Sequence, residues 1–257
     1  MTSRASIVIT IGPASADPQV FAGLVARGAD AARFNLSWAK EDGFREQAAM
    51  VRGAARKVVL IADLPGPRVQ QSAGHTFDAA ETIPTTRDIE LIKQCVELAV
   101  DYIAVSFVTG AGDMERVRAL AGPIRLIAKI ERAEALEHLE EIAAASDALM
   151  VARGDLGNAI PQEEVPFAQT RIIAAARAAG KPVIVATDML KSMVEHAEPT
   201  RAEVNDVSTA IMEGADAVML SDETAVGRYP AETVALMERV VVEAEKHRPA
   251  ELSIRSL

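Results

Sequence analysis

Short β-branched runs alternate with Ala-rich helical stretches along the whole chain, and this alternation restricts the fold more than any other feature. The strands expected are Ser6–Ile11, Ala31–Asn35, Val58–Asp63, Tyr102–Ser106, Ile124–Lys129, Ala148–Val151, Pro182–Ala186 and Ala217–Leu220. A helical pattern follows each, near 18–27, 40–55, 86–99, 112–120, 133–144, 163–179, 201–213 and 230–247. Eight strand–helix units in one domain-sized chain predict a single (β/α)8 TIM barrel over residues 1–257. The core must be built from Ala, Val, Ile and Leu, because hydrophobic residues make up 49% of the chain and aromatics only 4%.

Four phrases resemble one another: GADAARF, AVDYIAV, ASDALMV and GADAVML. Each places Asp immediately before an apolar run, which reads as recurrent turn chemistry at the entrance to a strand.

Charge and cysteine content narrow the function classes. A net charge of −10 argues against a nucleic-acid surface. The single cysteine, Cys95, excludes an intramolecular disulfide and fits a cytoplasmic location. No apolar run of membrane-spanning length is present, and the N-terminal apolar stretch is too short for a signal peptide.

One connection departs from the rhythm. Between Asp63 and a helix capped by Thr85 or Thr86 lies the segment 64–85, with three prolines and two glycines. A loop of that length on the C-terminal face of a barrel is expected to be a functional rim loop. His75, within it, is the histidine best placed to move a proton.

Polar and charged groups follow nearly every strand. Residues 126–157, LIAKIERAEALEHLEEIAAASDALMVARGDLG, are the densest case. Lys129 and Glu131 end one strand, and Arg153, Gly154 and Asp155 follow the next. Lys129 and Glu131, two apart, share a face of their strand. Two converging carboxylates suit a hard divalent ion, so Glu131 and Asp155 are the candidate ligands for Mg2+ or Mn2+. Lys129 beside them suits a developing oxyanion, Gly154 permits close backbone approach, and Thr187 adds a hydroxyl. Arg153 has a second reading, as a brace for a neighbouring carboxylate. A 2-keto acid chelated there is a natural substrate.

The phrases ITIGPAS, ARFNLS, IAKIERAEAL, SDALMVARGDLG, IPQEEVPFAQ, PTRAEVNDVSTAIMEGADAVMLS and GRYP closely resemble the catalytic barrel of the pyruvate kinase family. The resemblance implies catalytic positions at Arg33, Asp63, Lys129 and Thr187, with Glu131 and Asp155 as metal ligands. It also implies that Gly154, Asp155, Thr187 and Arg33 receive phosphoenolpyruvate or pyruvate, and that Asn35, Ser37 and Asp63 match ligands of K+.

Departures from the family pattern accompany the matches. The 64–85 segment stands in place of the family's inserted lid domain. Leu64 lacks a potassium-ligand hydroxyl, Gln70 replaces a phosphate-holding arginine, and Trp38 replaces a histidine. Asp188, Lys191 and Asp222 also differ from the pattern. The pyruvate half of the site is kept and the nucleotide half is altered. That contrast leads to the expectation of a metal-dependent lyase, aldolase or decarboxylase in type, acting through a pyruvate enolate. The alternatives are a minimal pyruvate kinase using ADP and a non-catalytic binding barrel. A homo-oligomer is expected too, from apolar Met189, Leu190, Met193, Ile211 and Met212 on the last helices.

Overall fold

A computed structural model of the chain describes residues 2–38, 43–71, 74–78 and 81–257, without the side chains of 69–71 and 74–76. In chain order the elements are β1 (Ser6–Thr10), α1 (Pro18–Ala26), β2 (Ala29–Asn35), α2 (Gly43–Arg52), β3 (Val59–Asp63), β4 (Arg68–Gln71), β5 (Gly74–Phe77) and α3 (Thr86–Glu97). These are followed by β6 (Tyr102–Val105), α4 (Ala111–Ala121), β7 (Arg125–Ile130), α5 (Ala133–Glu137), α6 (Leu139–Ala145), β8 (Ala148–Ala152) and α7 (Arg153–Ala159). The last are α8 (Val165–Ala178), β9 (Val183–Ala186), α9 (Arg201–Glu213), β10 (Ala217–Leu220), α10 (Asp222–Ala225) and α11 (Pro230–Glu245).

Eight strands close a barrel in the order β1-β10-β9-β8-β7-β6-β3-β2, every pair parallel. This is the (β/α)8 barrel expected from the alternation.

Strand periodicity divides the apolar side chains into two sets. One set, including Val8, Ala31, Ile61, Tyr102, Ala104, Ile127, Met150, Ile184 and Met219, fills the barrel interior. The other, including Ile7, Leu60, Ile103, Leu126 and Val185, packs outward against the helices. Following the interior parity toward the C-terminal ends leads from Val8 to Thr10, from Ala31 to Arg33, from Ile61 to Asp63 and from Ile127 to Lys129 and Glu131. The interior therefore changes from apolar to charged at one mouth. Alanines at 31, 104, 148, 186 and 217 leave room for the bulkier Tyr102 and the two methionines.

The repeated Asp phrases have a shared structural role at the opposite mouth. Asp30 accepts a hydrogen bond from the Ile7 amide (2.9 Å), Asp101 from Leu60 (2.8 Å), Asp147 from Leu126 (2.7 Å) and Asp216 from Val183 (3.0 Å). Each Asp enters one barrel strand and ties down the start of the strand before it. Arg56, Arg52 and Arg118 neutralise the first three. Arg248 and Arg255 flank the fourth, and the Arg255 amide also donates to Asp216 (2.8 Å). The segment carrying Arg255 runs on to Leu257, which packs against the interior cluster.

Several details differ from the sequence expectation. The 64–85 segment contains an antiparallel hairpin of β4 and β5, not a plain loop. By contrast, Thr85, one of the two expected caps, does cap α3, in a capping box with Asp88. The helix expected over 133–144 is interrupted at His138. The helix α7 starts at Arg153, directly after β8, and is absent from the helical stretches expected from the sequence.

The apolar surface invoked for a homo-oligomer is largely internal. Met189, Leu190, Met193 and Ile211 are buried as barrel–helix contacts, and only Met212 is exposed. Among the described residues, no helix is long and apolar enough to cross a membrane.

Candidate active site

At the charged mouth, Arg33, Asp63, Lys129 and Glu131 form one buried chain of contacts. Arg33 Nε donates to Asp63 Oδ2 (2.6 Å), and its Nη1 donates to Thr10 Oγ1 (3.2 Å). Lys129 Nζ donates to Asp63 Oδ1 (3.0 Å) and to Ser106 Oγ (2.7 Å), and Ser106 passes its own proton to the Leu64 carbonyl (2.7 Å). Glu131 Oε2 receives the Phe107 amide (2.6 Å). Its Oε1 lies 2.8 Å from Lys129 Nζ, yet makes no hydrogen bond of acceptable geometry among the described residues.

Charge follows from these contacts. Burial acts to raise Asp63, but Arg33 and Lys129 outweigh it and hold the carboxyl below its usual range. Burial likewise acts to lower Lys129, and Asp63 and Glu131 outweigh it, so the ammonium stays charged. Glu131 is the exception. Burial pushes it up to about 7 despite Lys129, and the charge of Asp155 pushes in the same direction. The site thus carries a carboxylate whose ionised form is under-compensated and one of whose buried oxygens lacks a hydrogen bond. Both features suit a cation. Glu131 and Asp155 offer hard oxygen donors, and Mg2+ is commonly held by one or two carboxylates with water and substrate completing the shell. Among the described residues no cluster of three or more His, Cys, Asp and Glu side chains is arranged to hold a metal. A two-carboxylate site of this kind is the one the residues fit.

The other wall is built by the segments after β8 and β9. Thr187 and Asp188 take positive φ values of 76° and 54°, conformations disfavoured for a β-branched residue above all. Arg153 holds them there. Its Nη2 donates to the Thr187 carbonyl (2.7 Å), while Nη1 is anchored on Asp206 (2.7 Å). The bracing role expected for Arg153 is therefore real, and the carboxylate is Asp206. Gly154 is required by contact: a Cβ there would sit 2.8 Å from Thr187 Cγ2. Gly154 and Thr187 thus lie side by side, and the close approach at Gly154 is to Thr187. Nearby, Lys191 pairs with Asp222 (2.7 Å) and Asp188 (3.5 Å), so three of the departing positions form one ion cluster between the last two loops.

The monovalent-ion positions are divided. Asn35 Oδ1 accepts the Ser37 amide (3.2 Å), and Ser37 Oγ has no hydrogen-bond partner among the described residues. Both oxygens of Asp63, however, are taken by Arg33 and Lys129, and Leu64 contributes no side-chain oxygen. The side chains of Gln70 and His75 lie outside the described residues. Sequence reasoning overlooked Thr10, Ser106 and the Phe107 amide as partners of the charged chain. The interior parity of Thr10 and Ser106 was the available signal.

A cavity of about 670 Å3 at the opposite mouth has lower claim to function, because the charged groups in its wall are already satisfied within the protein. There Asp30 pairs with Arg56, and Glu238 accepts from Ser3.

Comparison with known proteins points to one family. The family described as Pyruvate kinase, barrel domain, matches residues 79–234. A protein named Pyruvate kinase from Agrobacterium vitis is 54% identical over 165 residues, covering 64% of this chain and 34% of that protein. One from Thermotoga maritima is 48% identical over 175 residues, covering 66% and 38%. One from Mycobacterium tuberculosis is 34% identical over 339 positions, covering 97% and 72%. Because the chain has 257 residues, at least 82 of those 339 positions have no counterpart in it. The chain spans about a third to two fifths of the length of several relatives that it matches. These relatives overturn the expectation of an aldolase or decarboxylase: the departures at Leu64, Gln70 and Trp38 do not remove the chain from its kinase relatives. A barrel with this mouth and these relatives belongs to the pyruvate kinase family.

Proposed function

We propose that the chain carries the phosphoenolpyruvate half of a pyruvate kinase site and transfers a phosphoryl group between phosphoenolpyruvate and ADP. The observation that carries this reading is the buried Lys129–Glu131 pair, with its under-compensated carboxylate, at the end of β7, beside the strands β8 and β9 that bring Gly154 and Thr187 together. Glu131 and Asp155 would hold Mg2+ or Mn2+. When bound, the ion supplies charge neutralisation for phosphate and keto oxygens.

Each residue has a distinct task in this reading. Lys129, kept charged by Asp63, stabilises the enolate oxygen left when the phosphoryl group departs, an oxygen more negative than that of the ketone formed once the enolate is protonated at its methylene carbon. Arg33, fixed by Asp63 and Thr10, presents its remaining N–H groups to phosphate. Gly154 lets the α7 backbone approach Thr187, and the Thr187 hydroxyl receives the substrate carboxylate. The hairpin of β4 and β5 stands where the family has its lid domain. K+ is the weaker cofactor assignment, since Asp63 is already committed. A cytoplasmic location fits the substrates.

Pyruvate release from phosphoenolpyruvate, ADP and Mg2+, followed through a coupled dehydrogenase, tests the reading. Turnover should be lost in Lys129→Met and Glu131→Gln. Wild-type protein with no turnover above the level of those two variants would refute it.

A further inference from the structure

We propose that Phe77, on the rim hairpin, is a positioning residue for the Glu131 carboxylate, acting through Phe107. The inference rests on the reading of Glu131 as a ligand of the divalent ion.

Three contacts carry it. The Phe77 ring lies 5.5 Å from the Phe107 ring at 44°, and the Arg132 guanidinium sits 4.0 Å from the Phe77 centroid. Phe77 is thus in contact both with the residue after Glu131 and with the residue whose amide holds Glu131 Oε2 at 2.6 Å. Arg68, paired directly opposite Phe77 in the hairpin register, lies 5.5 Å over the same Phe107 ring and donates to the Pro65 carbonyl (2.8 Å).

The backbone of Phe107 explains why such a clamp matters. Its φ is +59°, a conformation that costs a non-glycine residue free energy and persists only where its surroundings enforce it. Gly66 backs the residue closely, with a hypothetical Cβ 3.1 Å from Phe107 Cδ2. Phe77 and Arg68 hold the ring from the hairpin. Removing the Phe77 ring takes away one of the contacts that hold Phe107 at positive φ, and relaxation toward negative φ turns its amide away from Glu131. The carboxylate then loses the backbone hydrogen bond at Oε2, in a site where Oε1 already has none. Partners that orient a metal ligand typically change affinity by about tenfold to a hundredfold when removed. Aromatic and cation–π contacts of this kind suffice to bias one backbone conformation.

The test is Mn2+ affinity by electron paramagnetic resonance, in wild type and in Phe77→Ala, Phe77→Leu and Phe77→Tyr, well below each melting midpoint. The dissociation constant should rise about tenfold in Phe77→Ala and Phe77→Leu and return close to wild type in Phe77→Tyr, which restores the ring. An increase below about threefold in both Phe77→Ala and Phe77→Leu, whatever their melting midpoints, overturns the inference and leaves the metal reading intact. Should Phe77→Ala not fold, Phe77→Leu decides. Wild-type protein that binds no Mn2+, or binds it equally well as Glu131→Gln, overturns the metal reading and this inference together.

Discussion

Replacing Gly154 by Ala tests how the substrate wall is built. The added Cβ would lie 2.8 Å from Thr187 Cγ2, whereas the Thr187 Cβ and Oγ1 atoms are both 3.7 Å away and in ordinary contact. The Thr187 backbone cannot easily move away, because its carbonyl is held by Arg153, itself anchored on Asp206. Overpacking of this kind costs about 1–3 kcal/mol. Alanine opposes that loss by up to about 1 kcal/mol, since it is the better helix former and Gly154 lies in α7. The net expectation is a loss of roughly 1–2 kcal/mol, seen as a fall in melting midpoint of about 2–8 °C for a chain of this size. Thr187→Ser deletes Cγ2 and keeps the hydroxyl. In that background Gly154→Ala should be neutral or slightly stabilising. Melting curves and calorimetric binding of oxalate with Mg2+ on the four proteins give a double-mutant cycle. If Gly154→Ala is equally damaging in both backgrounds, the contact with Thr187 is not the reason for glycine at this position.

Other expectations follow from the same geometry. Lys129→Met should leave oxalate affinity within roughly tenfold while cutting turnover by about a hundredfold or more, because its charge matters most in the transition state; steady-state kinetics with calorimetry separates the two. Asp147→Ala strands the Leu126 amide and Arg118, so unfolding in urea should show a loss of about 1–3 kcal/mol with turnover unaffected. Glu203 accepts hydrogen bonds from Ser192 and Thr200, which hold its carboxyl below the ordinary glutamate value of 4.5 against the opposing effect of burial. A lowered carboxyl stabilises the fold above its unfolded pKa and ceases to do so as pH falls through its folded pKa. The stability deficit of Glu203→Gln should therefore be full at neutral pH and shrink below pH 4.5, as melting curves across that range can show.

The barrel is legible in the sequence because its strands and helices obey their own periods. Interior parity alone carries Ile127 to Lys129 and Glu131, so the charged mouth follows from residue order. Thr85 and Asp88 announce the start of α3 by their spacing. Other features leave no local trace. Gly154 and Gly157 disfavour a helix, so α7 owes its existence to tertiary contacts that a propensity reading does not contain. The positive φ of Thr187 and Phe107 runs against residue preference, and the contacts at these two residues, Arg153 on the first and Phe77 with Arg68 on the second, come from distant segments. Met189, Leu190, Met193 and Ile211 read as surface because periodicity marks an apolar face without saying what covers it. The lyase expectation fails for a related reason: it weighs altered nucleotide positions by their identity, whereas the relatives weigh the whole barrel.

The most direct test of the phosphotransfer reading follows the phosphorus itself. Phosphoenolpyruvate, ADP and Mg2+ incubated with the protein and observed by 31P NMR should show ATP resonances growing as the phosphoenolpyruvate signal falls, with no such change in Glu131→Gln. Conversion of phosphoenolpyruvate to inorganic phosphate with no ATP, or no conversion at all, would contradict the account.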